Sequence, residues 1–267
     1  MNKRNGSYVV EFSWKKQPKV SNHNKSANIS HTKTMIPVKD GENEELPWNT
    51  VCLIVTKWIN NPIETYSTGC LIGRNAVLTS AFSIYNPVKC KVKPEAEKIW
   101  VIPAYHEKNE PYGRHLVYNI WYDHNFQRRP VEGGQFDYAV LKLGTYVEGV
   151  EPMPMFLTAD EGALEEAPID VVGFQSPQPG KHSSRMTKNA GVIIKNRVKA
   201  PRFQHNAEVI GSLGSPIFTY SVIDQVFKFI GLHVNDHPRD KRYYHAFYFD
   251  NFVHSRITSW LDQINKS

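Results

Sequence analysis

Three stretches, TGCLIGRNAVLTSAFS at 68–83, FDYAVLKL at 136–143 and GSLGSPIF at 211–218, decide how the chain reads. Each holds one or two short apolar runs set off by polar or turn residues, shorter than a core helix needs. Working outward, the same texture recurs in VCLIVTKWI, KIWVIPAY, RHLVYNIWY, PIDVVGF, AGVIIKNRV, QVFKFIGLHV and HAFYF, with Pro, Gly, Asn and Asp between the runs. Many short strands separated by turn signals predict an all-β barrel or sandwich. The last segment breaks the pattern. After Asp250, an expected N-cap, Val253, Ile257, Trp260, Leu261 and Ile264 recur at helical spacing and predict one amphipathic helix.

Taken in order, the three stretches resemble the chymotrypsin/trypsin-like serine proteases. In that family the first ends in Thr-Ala-Ala-His, the second carries the triad Asp ahead of a strand, and the third is Gly-x-Ser-Gly-Ser-Pro or close to it. LPWNTVCLIV at 46–55, VVGF at 171–174, FIGLHV at 229–234 and the terminal RITSWLDQI extend the likeness over about residues 46–265. The resemblance implies two six-stranded antiparallel β-barrels, one at about 48–155 and one at about 166–250, followed by a C-terminal α-helix.

Carried over position by position, the family's chemistry departs at two of three places. Phe82 stands where the general base His belongs, and a benzyl ring accepts no proton; Leu213 stands at the nucleophile's place and offers no attacking atom. Asp137 is kept, and an aspartate opening a buried strand also serves simply by accepting backbone N–H groups. Ser212 and Ser215 flank the nucleophile position, where the turn aims them elsewhere. Gly211 and Gly214 preserve the glycines of the oxyanion turn. The expectation is therefore a pseudoprotease, not an enzyme, used as a protein-binding or scaffolding module; a protease with a rearranged catalytic pair is the alternative. The resemblance also implies a substrate pocket with Ala207 near its base and His233 on a wall. In glutamyl endopeptidase relatives a His near that place reads an acidic side chain, whereas a His on a strand such as FIGLHV is ordinarily a satisfied core or rim residue. His233 and His237 are spaced i, i+4, which on a strand running into a turn does not make a metal site. No metal and no cofactor are expected.

The N-terminal part differs from the rest. Residues 1–39 hold eight cations against Glu11, a net +7, so the remainder nets −1 of the total +6. Residues 1–45 read as a basic, largely disordered tail ahead of a domain at 46–267, with Gln17 to Glu45 too polar to form a core. Within the tail, Tyr8, Val10, Phe12 and Trp14 alternate at period two and predict a strand, either an added edge on the chain's own domain or a partner-binding segment. A protein partner is expected; a role as a nucleic-acid or acidic-surface adaptor through the basic 1–39 tail is a further alternative. No apolar run reaches the length of a membrane span and the N-terminus lacks the apolar core of a signal peptide, so an intracellular location, cytoplasmic or nuclear, with no membrane partner, is expected. Cys52, Cys70 and Cys90 show no pairing pattern, which fits a reducing compartment.

Overall fold

The computed structural model describes residues 36–59, 64–84, 96–128, 134, 136–158, 164, 166–174, 185–194, 202–207, 213–236 and 244–266. Six strands, β2 (Val51–Trp58), β3 (Glu64–Gly73), β4 (Ala76–Thr79), β5 (Ala96–Pro103), β6 (His115–Tyr122) and β7 (Ala139–Leu143), close into a barrel in the order β2-β3-β4-β7-β6-β5. Six more, β8 (Pro168–Gly173), β9 (Thr187–Ile194), β10 (Arg202–His205), β11 (Pro216–Ser221), β12 (Val226–Asp236) and β13 (Tyr244–Tyr248), form a second, shut by the β8–β9 pairing. All pairings within the two barrels are antiparallel. The double barrel expected from the ordered motifs is the observed architecture.

The continuous apolar runs follow from where the strands sit. In β2, Val51, Leu53 and Val55 face a core shared with Val172, Phe218, Phe229 and Phe247 of the second barrel. The alternate residues Cys52 and Ile54 face the interior of the first barrel with Leu71, Val77 and Leu141. A strand buried on both faces needs no polar alternation, which is why VCLIV reads as an unbroken hydrophobic run. The second barrel has its own filling of Ile169, Val171, Ile193, Phe203, Ile217 and Ile230.

A short helix, α1 (His124–Arg128), precedes β7, and α2 (Asn251–Lys266) ends the chain. The Val253 N–H donates to Asp250 Oδ1 at 2.7 Å, the N-cap contact expected from the sequence. Val253, Ile257, Trp260 and Ile264 are buried, and Leu261 packs partly against the same core. Helical spacing thus lays one apolar stripe across the shared core.

One expectation changes. Residues 36–45, read from composition as the end of a linker, are built into the body. β1 (Ile36–Pro37) pairs with Lys188 and Thr187 of β9. The buried Val38 donates its N–H to Met186 O at 2.9 Å, and Asn43 Nδ2 donates to Ala104 O at 3.0 Å. These anchors are mostly backbone pairing and one buried amide, and neither alters composition. Tyr8, Val10, Phe12 and Trp14 lie outside the described residues.

Candidate functional site

Asp137 lies at the start of the strand segment that becomes β7 and is fully buried. Its Oδ1 accepts two hydrogen bonds, from Ser80 Oγ at 2.7 Å and from the Phe82 backbone N–H at 2.7 Å. The segment that ends β4 therefore wraps around the carboxylate. The hydroxyl of Thr79 donates to Thr68 O at 2.7 Å and lies 3.3 Å from Ser83 Oγ, which donates to Ser80 O at 2.7 Å. The hydroxyls of Thr79, Ser80 and Ser83 are all engaged in holding its shape, as buried hydroxyls must be.

The turn carrying Leu213 docks onto the same place from the second barrel. The Thr68 N–H donates to Leu213 O at 3.0 Å, and Gly214 N–H donates to His233 O at 2.9 Å. His233 N–H in turn donates to Ser215 O at 2.8 Å. Gly214 has φ +80°, and a Cβ there would lie 2.2 Å from Thr68 O and 2.3 Å from Thr79 Oγ1. Only glycine allows the two barrels to approach this closely in that conformation. Thr68 joins the halves a third time, since its Oγ1 accepts the Phe174 N–H at 3.1 Å.

Phe82 and Leu213 are each half-buried, with Phe82 packed against the interior of the first barrel. The structure thus brings the Phe82, Asp137 and Leu213 segments together through Thr68, Thr79 and Ser80. Ser80 is fully buried and its hydroxyl points at Asp137, so it is a positioning group for the carboxylate. Gly211 and Ser212 lie outside the described residues. Ser215 is buried behind the turn. His106 binds Asp40 Oδ1 at 3.0 Å, and His115 binds Thr145 Oγ1 at 2.8 Å and the Tyr112 carbonyl at 2.9 Å, so both are engaged in contacts of their own. His124 is exposed at the start of α1.

Ala207 and His233, the candidate pocket residues, are both fully buried and belong to the core of the second barrel. Ala207 closes over Gly191, where a Cβ would come within 2.6 Å of the Ala207 nitrogen. His233 Nδ1 lies 3.3 Å from His205 Nε2, and the His205 ring stacks on Tyr244 at 5.7 Å between centroids. Burial pushes the His205 pKa well below its usual value, and the neighbouring His233 and His245 push it the same way. His205, Ser80 and Thr68 were not singled out from the sequence. For Ser80 the available signal was a polar residue set inside the apolar run AVLTSAF; RFQH, with Phe203 its only apolar residue, offered none for His205. Among the described residues, no group of three or more His, Cys, Asp or Glu side chains is arranged to hold a metal ion; His237 lies outside them.

No protein-family model and no curated protein matches the sequence. Solved structures do match in shape. A Glu endopeptidase superposes with a TM-score of 0.67 at 16% identity, covering 85% of this chain and 94% of its own. The protease Anisep from Arthrobacter nicotinovorans gives 0.59 at 14%, covering 78% and 93%. The thermostable serine protease AL20 from an extremophilic microorganism gives 0.62 at 12%, covering 78% and 94%. These neighbours, an endopeptidase and two proteases, overturn the expectation drawn from Phe82 and Leu213 that the chain is not an enzyme: the likeness leads to a protease fold, and two substituted side chains do not establish inactivity. With its two closed barrels, its terminal helix and these neighbours, the chain has the fold of the chymotrypsin-like serine proteases.

Proposed function

We propose that the chain is a protein-binding module built on the serine-protease fold, its partner held across the junction of the two barrels. The observation that carries this reading is the contrast at one spot. The hydrogen bonds from Ser80 and Phe82 to Asp137, and the Gly214 turn against Thr68 and Thr79, keep a protease framework in place. The half-buried side chains displayed on that framework are the apolar Phe82 and Leu213. Apolar groups displayed on a firmly anchored framework are the usual anchors of a protein interface. The same reading places the chain in a reducing compartment. Cys52 and Cys70 are buried thiols, both raised in pKa by burial, Cys70 to about 12.

The test is affinity capture with the full chain, with a version lacking residues 1–35, and with Phe82→Ser paired with Leu213→Ser. Loss of a captured partner in the paired variant, at unchanged far-UV circular dichroism, supports the junction as the contact. Retained capture in that variant and loss in the truncated chain would move the contact to the tail. A protease reading stands second, favoured by the three neighbours. A fluorophosphonate probe and a peptide-library digest separate the two, because labelling or cleavage abolished by Asp137→Asn would establish chemistry at this site.

A further inference from the structure

Behind the turn that carries Leu213, the second barrel encloses two imidazole rings. His205 of β10 and His233 of β12 are both fully buried, with ring centres 5.5 Å apart and planes inclined at 71°. His205 Nε2 lies 3.3 Å from His233 Nδ1, so that one hydrogen sits between the two nitrogens, donated by one ring and accepted by the other. The His205 ring is walled in on every side. Its own strand faces it with Phe203, β9 with Ile193 across the ladder, and β13 with Tyr244, which stacks on it at 5.7 Å and lies 6.0 Å from the His233 ring. Burial comes first in opposing a positive charge on His205, then His233 of β12 and His245 of β13; the Ala207 backbone favours one only weakly.

His233 turns its ring to this pair and its backbone to the junction. Its carbonyl accepts the Gly214 N–H at 2.9 Å and its N–H donates to Ser215 O at 2.8 Å, while the Leu213 carbonyl accepts the Thr68 N–H of the first barrel at 3.0 Å. We infer that the His205–His233 pair is an acid-operated release for this turn: a proton taken up by His205 parts the two rings and loosens residues 213–215 from Thr68. A further hydrogen on His205 goes either to Nε2, where it meets the hydrogen of His233 head on, or to Nδ1, which is buried without a hydrogen-bond partner. Either way a cation is enclosed that water would solvate better. The rings have little room to turn aside, because Tyr244 and Phe203 flank His205 and the neighbouring floor is closed where a Cβ on Gly191 would lie 2.6 Å from the Ala207 nitrogen. Displacement therefore passes to β12, from whose His233 backbone the turn hangs. The open form binds the proton more readily than the closed one, so falling pH favours the open turn. What this does to binding rests on the reading of the junction as a partner contact: acid withdraws Leu213 and releases the partner.

The test is native-state hydrogen exchange on the full chain at about pH 7.5 and about pH 5, on either side of the ordinary histidine range, each at several low urea concentrations. Rates are referred to those of unstructured peptide at the same pH. The Thr68, Gly214 and His233 amides lose at least about tenfold in protection on acidification, since an opening that frees one such ring gains up to about tenfold per pH unit. They do so with little dependence on urea, as a local opening requires. His205→Phe keeps a ring against Tyr244 and abolishes the change; should that variant not fold, His205→Gln, neutral at both pH values, takes its place. Protection that stays level with pH in the unsubstituted chain overturns the proposal, as does a loss that persists in the variant. A loss that follows urea as steeply as the amides of β2 also overturns it, because the proton would then act only through global unfolding. Every measurement is made without a partner, so a failed release and a failed capture at the junction are told apart.

Discussion

The two sides of the inter-barrel junction keep their shape by different means. On the first-barrel side, side chains do it: Ser80 and the Phe82 N–H converge on Asp137, and Thr79 and Ser83 tie the following turn. On the second-barrel side the backbone does it, through the Leu213 carbonyl, the Gly214 N–H and a φ of +80°. A side-chain network can lose one member and degrade by degrees. A glycine lodged 2.2 Å, at its Cβ position, from a partner carbonyl has no intermediate setting. The first side should therefore respond to mutation in graded steps and the second all at once.

The sharpest way to break this contrast is Gly214→Ala. Its methyl group would strike Thr68 O and Thr79 Oγ1 across the junction in a conformation that already strains any side chain. The expected loss is about 4 kcal/mol, or outright failure to fold, read from urea denaturation. A loss under about 1 kcal/mol would show that the second-barrel turn yields as readily as the first. Next comes Asp137→Ala, which leaves the buried Ser80 hydroxyl and the Phe82 N–H without their shared acceptor. About 3 kcal/mol should be lost in the same assay.

A smaller effect distinguishes the floor of the second barrel. Folding depresses the His205 pKa, through burial first and then through His233 and His245, from a usual value near 6.5. The neutral ring is the folded form, so its stability contribution is whole above about pH 6.5 and is lost as the pH falls toward the depressed value. Stability should decline on acidification by up to about 1.4 kcal/mol per pH unit for this one proton. His205→Phe should flatten that slope, the remainder belonging in part to His254, whose pKa burial also lowers. An unchanged slope in the variant would remove His205 from the account. The smallest change is Ser80→Ala, at about 1 kcal/mol, because Asp137 keeps the Phe82 N–H. If it costs as much as Asp137→Ala, the first side is a single unit and the graded picture fails.

Much of the fold was legible along the chain because strands announce themselves locally. VCLIVTKWI and PIDVVGF are apolar runs bounded by turn residues, and the Asp250 cap with its helical stripe needs only sixteen residues of context. The family resemblance carried by the three motif stretches added the double barrel. Residues 36–45 escaped because β1 is held by two pairings to β9, which leave no mark on composition. The role of Ser80 escaped because its partner lies 57 positions away. His205 likewise meets His233 across 28 positions, and no spacing rule links the two.

What the sequence determined by itself was the kind of element at each place and the identity of the side chains at the three motif positions, since both depend on periodicity and near neighbours. Only the tertiary structure decided what those positions do: that Asp137 serves Ser80 and the Phe82 backbone, and that Ala207 and His233 are sealed in the core. The reason is physical. Hydrogen bonding, burial and exposure are set by groups brought together when two barrels close, and a chain carries no local record of which distant atom will lie 2.7 Å away.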